Sequence, residues 1–225
     1  SSEKIIPIAK ELQEGGLLTA VTLSVQSLDE NTLDIIKREN MKFDKFSNLS
    51  NQFRQQGLPT YSEFIRGLPG ETLETFKQGL EQLIGESKID TIYIFHCIIL
   101  PNAPMNIPEY REKYKIKTVR SPIYLGHSSV NNRTMEEYEN VVISTSSATE
   151  EDIQEMYLYS WVILSMHSFG ILEYVSRYYK KAHGISFMKF YEEVIEFCKT
   201  EKSIFSEEYE KVIEHRDKGY QGKGW

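Results

Sequence analysis

The stretch from Pro59 to Phe76 holds the residues best placed to do chemistry. Thr60 to Arg66 alternates apolar and polar side chains and is predicted to be a strand. Gly67-Leu-Pro-Gly70 follows as a tight turn, and Glu71 is expected to open a helix carrying Leu73, Phe76, Leu80, Leu83 and Ile84 at helical spacing. A strand that feeds a glycine turn and then a helix suits ligand binding. Glycines let the backbone approach a ligand closely, and the helix N-terminus presents N–H groups with no partner inside the helix. Within that strand Glu63 needs explaining, because a carboxylate among apolar neighbours is costly unless it has a partner or faces a cavity.

The same layout occurs one unit earlier. Thr19 to Gln26 alternates, with Val21, Leu23 and Val25 on one side and Thr22, Ser24 and Gln26 on the other. Gln26 can both donate and accept at the end of this strand, and its simplest role is to cap the helix that follows. Ser27-Leu-Asp-Glu30 has the form of a capping box, and the short helix it opens passes Leu33 and Ile36 to reach Lys37-Arg38. A cation there complements the helix macrodipole and is by default a solvated charge. A third strand, Thr91 to Leu100, runs almost wholly apolar into Pro101-Asn102. Apolar strands separated by amphipathic helices predict a parallel sheet covered by helices.

The rest of the chain divides by character. Ile5, Ile8, Ala9 and Leu12 mark a helix leading to Gly15-Gly16, and Phe43 to Gln56 marks another with Phe46, Leu49 and Phe53 on one face. Residues 101–138 read as a long irregular loop, and Glu139 to Ser144 as a short fourth strand. From Thr149 the period becomes helical. One long helix is expected with Ile153, Met156, Tyr157, Trp161, Leu164 and Ile171 along one side, its aromatic stripe continuing to Tyr178 as helix core, with the lining of a substrate pocket as the alternative. Gly184 ends that pattern, further helices follow around Phe187–Phe197 and Tyr209–Ile213, and the tail from Asp217 is expected to be mobile. This divides the chain into an α/β part over 1–145 and a helical part over 146–225. Three or four strands cannot close an eight-stranded barrel. With no initiator methionine and a chain that opens inside an α/β repeat, a piece of a longer protein is expected.

Bulk composition narrows the class. Apolar residues make up 40% of the 225 positions and the net charge is −7, which fits a globular protein and argues against nucleic acid as a partner. Cys97 and Cys198 are two isolated thiols rather than a disulfide framework, and the five histidines show no metal-binding spacing. No run reaches transmembrane length and no signal peptide opens the chain, so no membrane partner is expected and a cytoplasmic setting is the default.

Taken in order, Ser24-Val-Gln-Ser27, Ile36-Lys-Arg38-Glu-Asn40, Glu63-Phe-Ile-Arg-Gly-Leu-Pro-Gly-Glu-Thr72 and Leu100-Pro-Asn102 resemble the later part of the barrel of radical S-adenosylmethionine (radical SAM) enzymes. The likeness is strongest to the branch whose longer members carry a cobalamin-binding domain. Oxygen-independent coproporphyrinogen oxidases share the same barrel pattern. The resemblance covers roughly residues 1–145. It implies a partial parallel (β/α) barrel of TIM-barrel type followed by an all-helical region. It also implies a parent enzyme that cleaves SAM reductively at a 4Fe–4S cluster, generating an adenosyl radical that acts on an unknown small-molecule or macromolecular substrate.

The same resemblance assigns positions. Gln26 would contact the ribose or methionine part of SAM, Arg38 its carboxylate, and Glu63 the ribose hydroxyls. Gly67 and Gly70 would let the backbone approach the nucleoside, and the run from Phe95 to Leu100 would wall the adenine. The CxxxCxxC motif that holds the cluster is absent from the sequence, so no catalytic residue and no metal ligand is assigned here. Cluster and cobalamin, if used, belong to the parent, the missing N-terminal part of which is the expected partner, and this chain by itself is expected to be inactive. Two other readings stay open: a non-catalytic ligand-binding or docking module, and an unrelated α/β-barrel enzyme using the 101–138 loop.

Overall fold

The computed structural model describes residues 4–87, 89–123 and 137–224. The two alternating stretches and the apolar one form strands β1 (Val21–Thr22), β2 (Thr60–Arg66) and β3 (Thr91–His96), paired in parallel in the order β1-β2-β3. Val21 aligns with Thr60 and Tyr61 with Thr91. This is the expected order and direction. The first strand is shorter than its sequence pattern, but Gln26 still bridges to Phe64. Helices α1 (Ile5–Glu14), α2 (Glu30–Ile36), α3 (Phe43–Gln55) and α4 (Leu73–Gln82) alternate with these strands, and α4 runs on into a π-helical turn, Leu83–Ser87.

Two helix starts lie later than the sequence suggests. Asp29, not Ser27, caps α2, its carboxylate accepting from the Thr32 amide at 2.7 Å. Ser27 is instead drawn into a buried hydrogen bond. Thr72, not Glu71, caps α4 in a reciprocal pair with Thr75. Thr75 can replace the usual glutamate because its hydroxyl reaches back to the Thr72 amide at 2.9 Å.

The expected fourth strand exists but does not extend the parallel sheet. Strand β5 (Tyr138–Ser144) pairs antiparallel with β4 (Lys117–Pro122), which lies within the region expected to be irregular. A 3₁₀ turn (Pro104–Asn106) and helix α5 (Pro108–Lys113) precede it. Prolines at 104 and 108 start these turns rather than preventing structure, since a helix's first position needs no N–H. The stretch expected to be a loop over 101–138 therefore carries regular structure within 101–123, and residues 124–136 lie outside the described residues. The β4–β5 pair is tied to the chain beyond β3 by Ile99 N–H to Asn140 O (2.8 Å) and Val142 N–H to Cys97 O (2.9 Å).

Beyond Thr149 all regular structure among the described residues is helical, as expected: α6 (Glu150–Trp161), a π-helical run (Val162–Ser168), α7 (Glu173–His183), α8 (Phe187–Thr200) and α9 (Ile204–Tyr220). The single long helix expected up to Gly184 is broken at 169–172, and the aromatic stripe breaks with it. Tyr157 is half-buried against Arg66, but Tyr174 and Tyr178 on α7 are exposed. The tail also differs from expectation: α9 continues through Tyr220, and Gly222 sits so close to the Arg120 carbonyl that a Cβ would come within 2.7 Å of it.

One face of the sheet is packed and the other is open. Thr60, Ser62, Phe64 and Arg66 are buried under α4 and α6, with Phe64 against Phe76 at a ring separation of 5.4 Å. Ile153, Met156, Tyr159, Phe187 and Tyr191 from the helical part share this core with the sheet residues. A smaller cluster of Ala9, Val21, Leu49, Phe53 and Leu58 secures α1 and α3 against β1. On the other face Tyr61 meets Tyr93 edge to face and Tyr93 stacks on Phe95, which is 50% exposed.

Candidate functional site at the carboxyl ends of the strands

A groove of about 350 Å³ lies at the carboxyl ends of the three parallel strands. Gln26, Arg38, Ile65, Leu68, Ile98 and Met105 are among its lining residues. This is where α/β sheets bind ligands, since the connections leaving the strand ends converge there.

Each polar lining residue is placed by a local backbone device. Gln26 adopts a left-handed conformation with φ of 59°, uncommon for a residue with a side chain. Its backbone is held on both sides by β2, donating to Glu63 O at 3.0 Å and accepting from Ile65 N–H at 2.8 Å. The chain leaves the sheet at that point with the Gln26 amide at the groove. Helix α2 ends with Lys37 left-handed (φ 55°), Lys37 N–H bonded to Asp34 O and Arg38 N–H bonded to Leu33 O. That is a Schellman closure, and it carries Arg38 from the helix end into the groove. The Arg38 Nε is buried with no hydrogen-bond partner among the described residues. A buried guanidinium N–H with nothing to donate to calls for an acceptor that the described protein atoms do not supply.

The remaining predicted positions are placed differently. Glu63 sits on the open face two residues before Ile65 and is not a lining residue of the groove. Its carboxylate accepts from Ser24 Oγ at 2.8 Å, which gives it the partner its position demanded. Gly67 (φ 83°) and Gly70 (φ 98°) both require the conformation that glycine allows most readily. Their missing side chains, however, make room for protein: a Cβ on Gly67 would stand 3.3 Å from Ile153 Cδ1, and one on Gly70 only 2.6 Å from Ile35 Cδ1. Leu68, between them, lines the groove. Leu100 is 61% exposed and lies outside it. From the Phe95–Leu100 run, Cys97 and Ile98 reach the groove.

Two buried polar groups next to the site escape a pattern-based reading. Glu71, 0% exposed, accepts from Ser27 Oγ at 2.6 Å through one oxygen, and its other oxygen has no partner among the described residues. Loss of water pushes its carboxyl up to about 8, against the Ser27 hydrogen bond and with help from the Asp29 charge. Arg66, also buried, donates to Ile94 O (3.0 Å) and Ser160 Oγ (3.2 Å), meets the His96 ring Nε2 at 2.6 Å, and lies over the Tyr157 ring. Burial, with the Arg66 charge beside it, pushes His96 down to about 2, so its imidazole is neutral and serves as acceptor. An arginine in an alternating strand reads as solvent-facing, and only the three-dimensional packing of α6 over β2 reverses that.

Among the described residues no group of three histidine, cysteine, aspartate or glutamate side chains is arranged to hold a metal, and both cysteines are buried. Burial pushes the Cys97 thiol up to about 12, away from the thiolate that iron requires. The described residues therefore do not fit an iron–sulfur cluster. Gln26, the unpartnered Arg38 N–H and an apolar wall do fit a ligand with an anionic group and a flat apolar part. No helix among the described residues is long and apolar enough to cross a membrane.

No family model matches the chain. Among curated proteins it is 30% identical over 192 residues to the cobalamin-dependent radical SAM methyltransferase TokK of Streptomyces tokunonensis, a match that covers 85% of this chain and 28% of TokK. It is 27% identical over 197 residues to the 2-(S-pantetheinyl)-carbapenam-3-carboxylate methyltransferase of Streptantibioticus cattleyicolor, covering 88% of this chain and 29% of that protein. The chain thus spans less than a third of the length of these relatives. Among solved structures, the radical SAM methyltransferase TsrM of Kitasatospora setae matches 69% of this chain and 33% of its own at 14% identity and a TM-score of 0.46. Elp3 of Methanocaldococcus infernus matches 42% and 22% at 22% identity and a TM-score of 0.36. The chain is a homologue of the radical SAM methyltransferases of the cobalamin branch, and it matches a part of such an enzyme rather than the whole.

Proposed function

We propose that this chain is the SAM-holding part of a radical SAM methyltransferase, and that the groove at the carboxyl ends of β1–β3 receives the cofactor. The observation that carries this reading is the meeting of Gln26 and Arg38 at one apolar groove, with the buried Arg38 Nε unpartnered. Arg38 binds the methionine carboxylate, for which a planar guanidinium is well suited. The Gln26 amide donates to and accepts from the ribose or methionine group. Ile65, Leu68 and Ile98 form the apolar surface against which the adenine lies, and Glu63, next to the groove on the open face, accepts from the ribose hydroxyls. Gly67 and Gly70 shape the turn that brings Leu68 there.

In the whole enzyme a 4Fe–4S cluster would be held by residues outside this chain and would supply the electron for SAM cleavage, with cobalamin as the second cofactor of the branch. The residues described here bind and orient SAM and keep its adenosyl part away from water. Apart from the rest of the enzyme, the chain binds SAM weakly and does not cleave it.

The test uses the full-length protein, reconstituted anaerobically with iron, sulfide and cobalamin and supplied with a low-potential reductant, with 5′-deoxyadenosine as the readout. Arg38→Ala is expected to raise the KM for SAM roughly 10- to 150-fold, the equivalent of one charged hydrogen bond worth about 1.5–3 kcal/mol. Glu63→Ala is expected to act in the same direction. Absence of deoxyadenosine from the reconstituted wild type sinks the activity, and an unchanged KM in either variant removes that residue from the site.

A further inference from the structure

The elements that place Gln26 and Arg38 are joined at one buried point. Ser27, fully buried and next in sequence to Gln26, donates from its hydroxyl to Glu71 Oε1 at 2.6 Å and accepts from the Asp29 N–H at 3.2 Å. Its carbonyl accepts from Asn40 Nδ2 at 2.7 Å, two residues beyond Arg38. A single side chain, Glu71, therefore reaches from the turn after β2 to the residue between the Gln26 turn and the α2 cap, and through Ser27 to the segment that carries Arg38. The turn is itself pressed against α2, since Gly70 leaves no room for a Cβ beside Ile35 and Thr32. Neither Glu71 nor Ser27 lines the groove.

We propose that Glu71 is a positioning residue of this site: its carboxyl fastens Ser27 to the turn after β2 and thereby sets where Gln26 and Arg38 stand in the groove. This rests on the reading of the groove as a SAM site only for the identity of the ligand. The linkage itself is independent of it.

The same contact makes the alignment sensitive to protons. Glu71 has an unpartnered second oxygen in a dry environment, a tolerable arrangement for a neutral carboxyl and an unfavourable one for a carboxylate. Its carboxyl, raised to about 8 by burial, is neutral at pH 7. The titratable groups coupled to it are Asp29 at the α2 cap, whose charge adds to the rise, and Cys97 beyond β3, whose thiol burial and Glu71 together hold neutral. Above about pH 8 the Ser27 hydroxyl bonds the carboxylate more strongly, but the second oxygen must find water or a cation, and the packing of the turn against α2 must open to admit it.

The test uses the full-length protein, reconstituted anaerobically and kept without reductant, and follows hydrogen exchange across residues 26–40 between pH 6.5 and 9.5, corrected for the intrinsic pH dependence of exchange, together with calorimetric SAM titration at each pH. Wild type is expected to lose protection in this segment at least tenfold as pH passes about 8, and to lose SAM affinity in parallel. Glu71→Gln keeps the acceptor for Ser27 but cannot ionise, so it is expected to hold both protection and affinity flat across the range. Ser27→Ala removes the junction at the other end and is expected to lower protection at every pH. Identical exchange profiles for wild type and Glu71→Gln overturn the proposal. If no variant binds SAM at any pH, the ligand reading falls while the exchange profiles still decide the role of Glu71.

Discussion

A buried Glu71 beside a left-handed Gly70 concentrates two physical constraints in adjacent residues. The carboxyl titrates near 4.5 in an unfolded chain and near 8 in the folded one, so the unfolded state holds fewer protons between those values. Stability from this group is therefore whole below about pH 4.5, declines as pH rises to about 8, and is fully lost above that. The span corresponds to a loss on the order of 4–5 kcal/mol. The expected result is a wild-type minus Glu71→Gln stability difference, from urea unfolding at stepped pH, that falls steadily with pH and turns in favour of the variant by pH 9. Gly70→Ala meets both a φ of 98° and an Ile35 methyl at 2.6 Å. It is expected to cost about 2–4 kcal/mol in the same measurement. At this scale the sequence shows that Gly70 is needed and that Arg38 follows a helix end. It does not show that Ser27 pairs with Glu71, because a capping-box pattern and a buried hydrogen-bond pattern look the same until the two segments are brought together across 44 residues.

The parallel order of β1, β2 and β3 was legible because period-2 alternation and intervening helical period are both local signals, and a right-handed crossover leaves few ways to assemble them. What failed was non-local or concerned endings. The β4–β5 pair depends on a partner some twenty residues away, and Pro122 ends β4 without announcing a strand. The helix from Thr149 was legible at its start, where Thr149 and Asp152 exchange hydrogen bonds at 2.8 and 3.1 Å. It was not legible at its end, where a π-helical run, Val162–Ser168, leads into the break. Thr149→Ala is expected to cost about 1 kcal/mol, with melting temperature as the readout and Glu151→Ala, on an exposed site in the same turn, as the control. Equal effects of the two substitutions contradict the cap.

For the molecule as a whole, the two sides of one sheet are in opposite situations. Phe64 on β2 is 0% exposed against α4, whereas Phe95 on β3 is 50% exposed beside Tyr93 on the open face. Both are phenylalanines in strands of the same sheet, and period-2 alternation by itself does not say which side carries the helices. The difference is energetic. Replacing Phe64 by Ala leaves a cavity between sheet and helices and is expected to destabilise by about 3–5 kcal/mol. Replacing Phe95 removes surface that is already half in water, so Phe95→Ser is expected to cost under about 1 kcal/mol in the chain studied alone. The consequence reverses in the full-length enzyme on the reading proposed above, in which the groove beside this face receives SAM. There Phe95→Ser changes the wall beside Ile65 and the groove, and it is expected to lower SAM turnover although it barely moves the melting temperature of the chain alone. Stability of the chain and turnover of the whole enzyme, measured for the same two variants, separate a sheet face that holds the fold together from one that serves the site. If Phe95→Ser destabilises the chain as much as Phe64→Ala does, the face is not open.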